Sequence, residues 1–130
     1  MAMAWIFTDE RDAESIAAAR YVRRERALVP PLWRWEIQNV LRNAEKRGRV
    51  RTDEVSEILR ELAAMPIMAD PFTPNIEFGA ELQLARHFSL TVYDAAYLEL
   101  AARRGIRLAT KDADLRAAAA QLDLLWSEHA

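Results

Sequence analysis

Short apolar runs bracketed by proline constrain this chain more than any other feature. Ala27-Leu28-Val29 runs into Pro30-Pro31, and Ile67-Met68-Ala69 lies between Pro66 and Pro71. Proline lacks an amide donor and cannot continue a central ladder, so the first run is predicted as a buried strand end and the second as a strand that is short or at an edge. Ile106 to Ala109 and Leu122 to Trp126 are two further strand candidates. The long stretches between these runs carry apolar residues at helical spacing. Strands separated by one or two helices imply a parallel sheet with helices on its faces.

The helical stretches are read from stripes and stop signals. Residues 13 to 26 place Ala13, Ile16, Ala17 and Tyr21 on one face. Trp33, Ile37, Val40, Leu41 and Ala44 form a second stripe that Gly48 ends, and Thr52 is the expected cap of a third helix built on Val55, Ile58, Leu59 and Leu62. A fourth helix is expected after Thr73-Pro74, with Phe78, Leu82 and Ala85 inward. A fifth opens at Thr91 and runs to Arg104 before Gly105, and a short one spans about Ala113 to Ala120. The 130 residues, 52% of them hydrophobic, suit one domain with a real core.

Composition then excludes several classes of function. Eighteen basic residues against twenty acidic ones give a net charge of −2, which argues against holding nucleic acid by bulk positive charge. With no cysteine, there is no disulfide, no thiolate metal site and no cysteine nucleophile. The apolar start Met1 to Phe7 is too short for a secretory core and meets Asp9, Glu10, Arg11 and Asp12 at once, so a soluble cytoplasmic protein without a membrane segment is expected.

Three acidic positions fall where strands give way to helices, the place where an α/β sheet gathers its ligands. Glu36 sits in the first turn after Pro30-Pro31, Asp94 in the first turn after Thr91, and Asp112 just past the strand candidate at 106 to 109. Each has a plain structural reading. Thr91-Val92-Tyr93-Asp94 matches a capping box, Asp112 suits a helix N-cap, and all three acids complement a helix dipole. Together they would repel one another in a partly desolvated crevice unless a cation neutralised them. Hard divalent cations such as Mg²⁺ or Mn²⁺ prefer carboxylate oxygen, and they recruit phosphate as a further ligand. An acidic pocket of this kind points toward phosphodiester chemistry.

Three segments carry a family resemblance: Leu32 to Leu41 with Glu36 and Asn39, Leu90 to Ala101 with Asp94 and Tyr97, and Leu108 to Leu115 with Thr110, Asp112 and Asp114. In this order the chain resembles the PIN-domain ribonucleases, and among them the VapC-type toxins of bacterial toxin–antitoxin pairs. The Phe7 to Glu10 segment is similar to the family's turn into its first helix, so the resemblance covers nearly the whole chain. It implies a helix-rich, doubly wound, mainly parallel sheet flanked by helices over residues 1 to 130 as one domain. It also implies a metal-dependent endoribonuclease, a cognate antitoxin and a homodimer. Glu36, Asp94 and Asp112 match the metal-site acids, Asp114 an auxiliary acid, and Asn39 and Thr110 supporting polar groups.

One departure accompanies the match. The family pattern begins with a hydrophobic strand ending in aspartate, upstream of the segment that Ala2 to Phe7 resembles, and Asp9 lies too far along to take its place. Weak metal binding is therefore expected. Two functions follow: a nuclease whose metal-activated water attacks a phosphodiester, or a PIN-like binding module that dimerises or holds an antitoxin without cutting. An all-helical interaction protein would leave the ordered acids unexplained.

Cations flank both acidic segments. Arg42, Lys46, Arg47, Arg49 and Arg51 surround Gly48, while Arg103, Arg104, Arg107 and Lys111 form a second group. They are candidates for guiding an RNA backbone, although arginine at a helix end is commonly just solvated and matched to the dipole. Trp33 and Trp35 are two residues apart and cannot share one helical face, which predicts that at least one leaves the core. His87 and His129 lack metal-ligand spacing.

Overall fold

A computed structural model describes residues 13 to 128. The expectations attached to Phe7 to Glu10, to Asp9 and to His129 lie outside these residues. Contacts gather into two compact units, one ending at Ala69 and the other beginning at Asp70.

The first unit runs α1 (Ala13–Arg24), β1 (Ala27–Val29), α2 (Trp33–Lys46), α3 (Thr52–Ala64) and β2 (Ile67–Ala69). Both proline-bounded runs are strands, and they pair in parallel with Ala27 opposite Ile67 and Val29 opposite Ala69. Two helices separate the paired strands, as a parallel crossover requires. The face of α1 differs from its expected stripe. Ser15, Ala18, Ala19 and Val22 are buried, whereas Ile16 and Tyr21 are about two-fifths exposed. Small residues at this i, i+3, i+4, i+7 spacing permit close approach, a signal that hydrophobicity alone underweights because it counts Ser15 as polar.

Helices α2 and α3 meet through Ile37, Leu41 and Val55, with Trp33, Val50, Ile58 and Leu62 packed around them. Leu41 is almost fully enclosed, worth about 1.5–3 kcal/mol on the apolar-burial scale. Gly48 takes the left-handed conformation, φ +72°, just past the end of α2. Thr52 proves to be the first helical residue of α3. Arg51 is the cap, and its backbone amide donates to the Glu54 carboxylate at 3.1 Å. Leu59 is exposed, so the stripe of α3 is narrower than its sequence suggests.

The second unit contains a 3₁₀ turn (Thr73–Asn75), α4 (Ala80–Phe88), α5 (Val92–Arg104) and α6 (Ala113–Gln121). The fourth helix starts later than expected. Pro74 sits in the 3₁₀ turn, and Gly79 enters the left-handed region at φ +102°, which breaks any continuous helix from Thr73. Phe78 consequently lies outside the helix and is fully exposed, Leu82 is about two-fifths exposed, and Ala85 alone of that stripe is buried. Helix α5 supplies Leu98 and Ala101 to a core shared with Leu108, Leu115, Ala118 and Ala119, with Phe88, Tyr97 and Leu125 among the residues packed on it. The two C-terminal strand candidates contract to one parallel bridge, Leu108 with Leu125. Gly105, just before the first segment, and Asp123, within the second, both take positive φ and leave little extended backbone to pair.

Candidate functional site

The first turn of α5 presents Asp94. Thr91, in extended conformation, accepts a hydrogen bond on its hydroxyl from the Asp94 amide at 3.1 Å, the capping interaction its spacing announces. The Asp94 side chain is half-buried. Asp112 caps α6: its Oδ2 accepts from the Leu115 amide at 2.9 Å, while its own amide donates to the hydroxyl of buried Thr110 at 3.2 Å. Arg116 closes this loop by donating to the Thr110 carbonyl at 2.9 Å. Asp114 is exposed in the first turn of α6. Thus Asp94, Thr110, Asp112 and Asp114 all belong to the second unit, at the starts of two helices that pack directly against one another or in the loop leading into the second.

Glu36 and Asn39 belong to the first unit, both exposed on α2. Trp33 is half-buried there, while Trp35 is 64% exposed, so one tryptophan leaves the core as its spacing requires. Among the cations, Arg42 pairs with Glu45 at 3.3 Å and Arg51 with Asp53 at 3.2 Å. Lys46, Arg47 and Lys111 are exposed. Arg107 donates to the Leu125 carbonyl.

Arg103 behaves differently from the other cations. Its guanidinium turns inward and binds two carboxylates: Nε donates to Glu99 Oε2 at 2.8 Å, and Nη2 donates to Glu99 Oε1 at 3.0 Å and to Asp70 Oδ2 at 2.8 Å. Asp70 is 1% exposed and also accepts from the Thr73 hydroxyl at 2.7 Å. Its Oδ1 has no hydrogen-bond partner among the described residues. Burial raises the Asp70 carboxyl, but the hydrogen bonds from Arg103 and Thr73, with a weaker contribution from the Phe72 amide, outweigh it and hold the group below the usual carboxylate value. The Arg103 guanidinium is correspondingly raised, first by its hydrogen bonds to Glu99 and Asp70.

Sequence reasoning missed Asp70. The Glu99 to Arg103 spacing of four was readable as a helical ion pair, but the Asp70 partner lies 33 residues away and no local pattern reports it. Beside this pair, Gln83, His87, Glu99 and Arg103 line an open groove of about 640 Å³. None of the acids singled out from the sequence borders it.

As donors, Asp94, Asp112 and Asp114 fit a hard divalent cation, since all offer carboxylate oxygen. Among the described residues, however, no three His, Asp or Glu side chains gather as a metal-holding group. These residues therefore form no complete coordination shell, and no reaction step is assigned to a metal from their geometry. No described helix is long and apolar enough to cross a membrane.

Comparison with known proteins places the chain. The PIN domain family model matches residues 2 to 121. The crystal structure of PAE2754 from Pyrobaculum aerophilum is 29% identical and superposes with a TM-score of 0.61, covering 80% of this chain and 72% of that one. No curated protein matches. PIN domains are generally nucleases that use divalent metal ions, and the helix-rich α/β architecture with its parallel strand pair fits their fold. With nearly its whole length matched, the chain belongs to the PIN domain family.

Proposed function

We propose that the protein is a metal-dependent endoribonuclease of the VapC type, the toxin of a toxin–antitoxin pair, acting in the cytoplasm. The observation that carries this reading is the family match over residues 2 to 121, which takes in Glu36, Asp94 and Asp112 in order. Capping supports it further. Thr91 fixes the backbone at Asp94, and Thr110 fixes the backbone at Asp112, so both carboxylates stand on rigid helix starts rather than on free loops. Bound Mg²⁺ or Mn²⁺ would supply an activated water and stabilise the leaving oxygen of an RNA phosphodiester. Asp94, Asp112 and Glu36 are the proposed ligands, with Asp114 auxiliary and Asn39 and Thr110 supporting. Arg42, Lys46, Arg47 and Lys111 are proposed to contact the RNA backbone, and a second copy and an antitoxin are the proposed protein partners.

Cleavage of single-stranded RNA with Mg²⁺ or Mn²⁺, abolished by chelation and by Asp94→Asn, is the expected result. Cleavage that persists in Asp94→Asn would overturn the assignment. One observation favours a second reading, a binding module that does not cut: no three described acids gather as a metal-holding group. That reading predicts a folded protein without metal-dependent cleavage that still binds its partner.

A further inference from the structure

The buried ion network at the far end of α5 asks for a role beyond helix stability. Arg103 lies at the C-terminal end of the helix whose first turn carries Asp94. Its partner Asp70 is the residue immediately after β2, and Thr73, three residues on, hydrogen-bonds the same carboxylate oxygen. The neighbouring Arg104 guanidinium lies 5.9 Å from the Phe72 ring centroid, a second tie between the same helix end and the same segment. Two adjacent arginines of α5 thus grip residues 70 to 73 from one side.

Burying such a network is an inefficient way to gain stability, because taking the charges out of water offsets their attraction. What it does supply is geometry. A guanidinium shared between two carboxylates accepts few alternative positions, whereas an apolar contact tolerates sliding along a helix. Helix α4 also packs along α5, with Ala85 buried and Phe88 on the shared core, but that contact is apolar and lacks the directionality of the ion network.

From this we infer that Asp70 and Arg103 are positioning residues: together with Glu99 they set the register of α5 against the segment leaving β2, and so fix where Asp94 stands. This inference rests on the proposed role of Asp94, but its register component does not. The pair lies at the opposite end of α5 from Asp94. It acts by rigid transmission along one helix.

The test replaces the network by uncharged groups of similar size, Asp70→Leu, Glu99→Gln and Arg103→Met together, and compares this protein with the wild type and with the near-isosteric Asp70→Asn. Three quantities are read: the melting temperature, the amide NMR signals of residues 92 to 98, and Mn²⁺ affinity by water-proton relaxation. The expected result is a melting temperature close to that of the wild type, amide signals that broaden or double, and Mn²⁺ binding at least tenfold weaker. A single sharp set of amide signals at wild-type positions would overturn the inference. Displaced signals with unaltered Mn²⁺ affinity would overturn the link to Asp94. If the triple variant fails to fold, Asp70→Asn decides by the same readings. If the wild type binds no Mn²⁺, the metal-site reading falls, and the amide signals alone decide the register.

Discussion

The two ends of α5 treat charge in opposite ways. At its C-terminal end, partly buried Arg103 and Glu99 meet the enclosed Asp70, and every hydrogen bond there is 3.0 Å or shorter. At its N-terminal end, Asp94 is half-exposed, and the contact that organises it reaches its backbone amide and leaves the carboxylate out. One end is built to be immobile and the other to be available. The contrast teaches that local chemistry, more than charge itself, separates a structural carboxylate from one that can bind.

The largest expected effect tests the immobile end. Arg103→Ala would strand the Asp70 carboxylate in a buried position, at a cost of about 3–5 kcal/mol in denaturant-monitored stability. A loss below about 1 kcal/mol, the range of surface pairs, would equate the two ends. Leu98→Ala, at a fully buried site between them, should cost about 2–5 kcal/mol by the same measurement.

Acid titration sharpens the comparison. The Asp70 carboxyl lies below its ordinary value of 3.8 in the folded protein. Its contribution is therefore fully present above that value and is lost as pH falls through the lower, folded one. Asp70→Asn should flatten the decline in stability below about pH 4. An unaltered decline in Asp70→Asn would remove this pH signature of the immobile end.

The smallest effect concerns the cap of α6. Asp112→Ala should cost about 1 kcal/mol through loss of the Leu115 hydrogen bond. Asp112→Asn keeps an accepting oxygen and should hold stability nearly unchanged while lowering divalent-metal affinity. Equal metal affinity in Asp112→Asn and wild type would leave Asp112 as a cap and nothing more.

Much of the architecture was readable because its signals are local. Proline punctuation located both paired strands, and Thr91 and Gly105 bounded α5. The failures share a cause. Ser15 is buried because small side chains admit a close neighbour, and Phe78 is exposed because Gly79 turns the chain left-handed before α4 begins; both depend on tertiary placement that spacing does not encode. At the candidate site, the caps formed by Thr91 and Asp112 were legible from three-residue spacings. The Asp70 network was not, because its partners come from segments far apart in the chain, and a buried aspartate looks in sequence like any turn residue before proline.

The short link from α4 to α5 has a kinetic consequence. Only Ser89, Leu90 and Thr91 separate these helices, and Ser89 already holds the left-handed conformation that turns the chain back. Strands β1 and β2, by contrast, must find each other across two intervening helices. Loop closure favours the nearer partners, so the helix pair should assemble early on the folding route and the strand pair late. Helix α5 would then be in place before the strand pair of the other unit has formed.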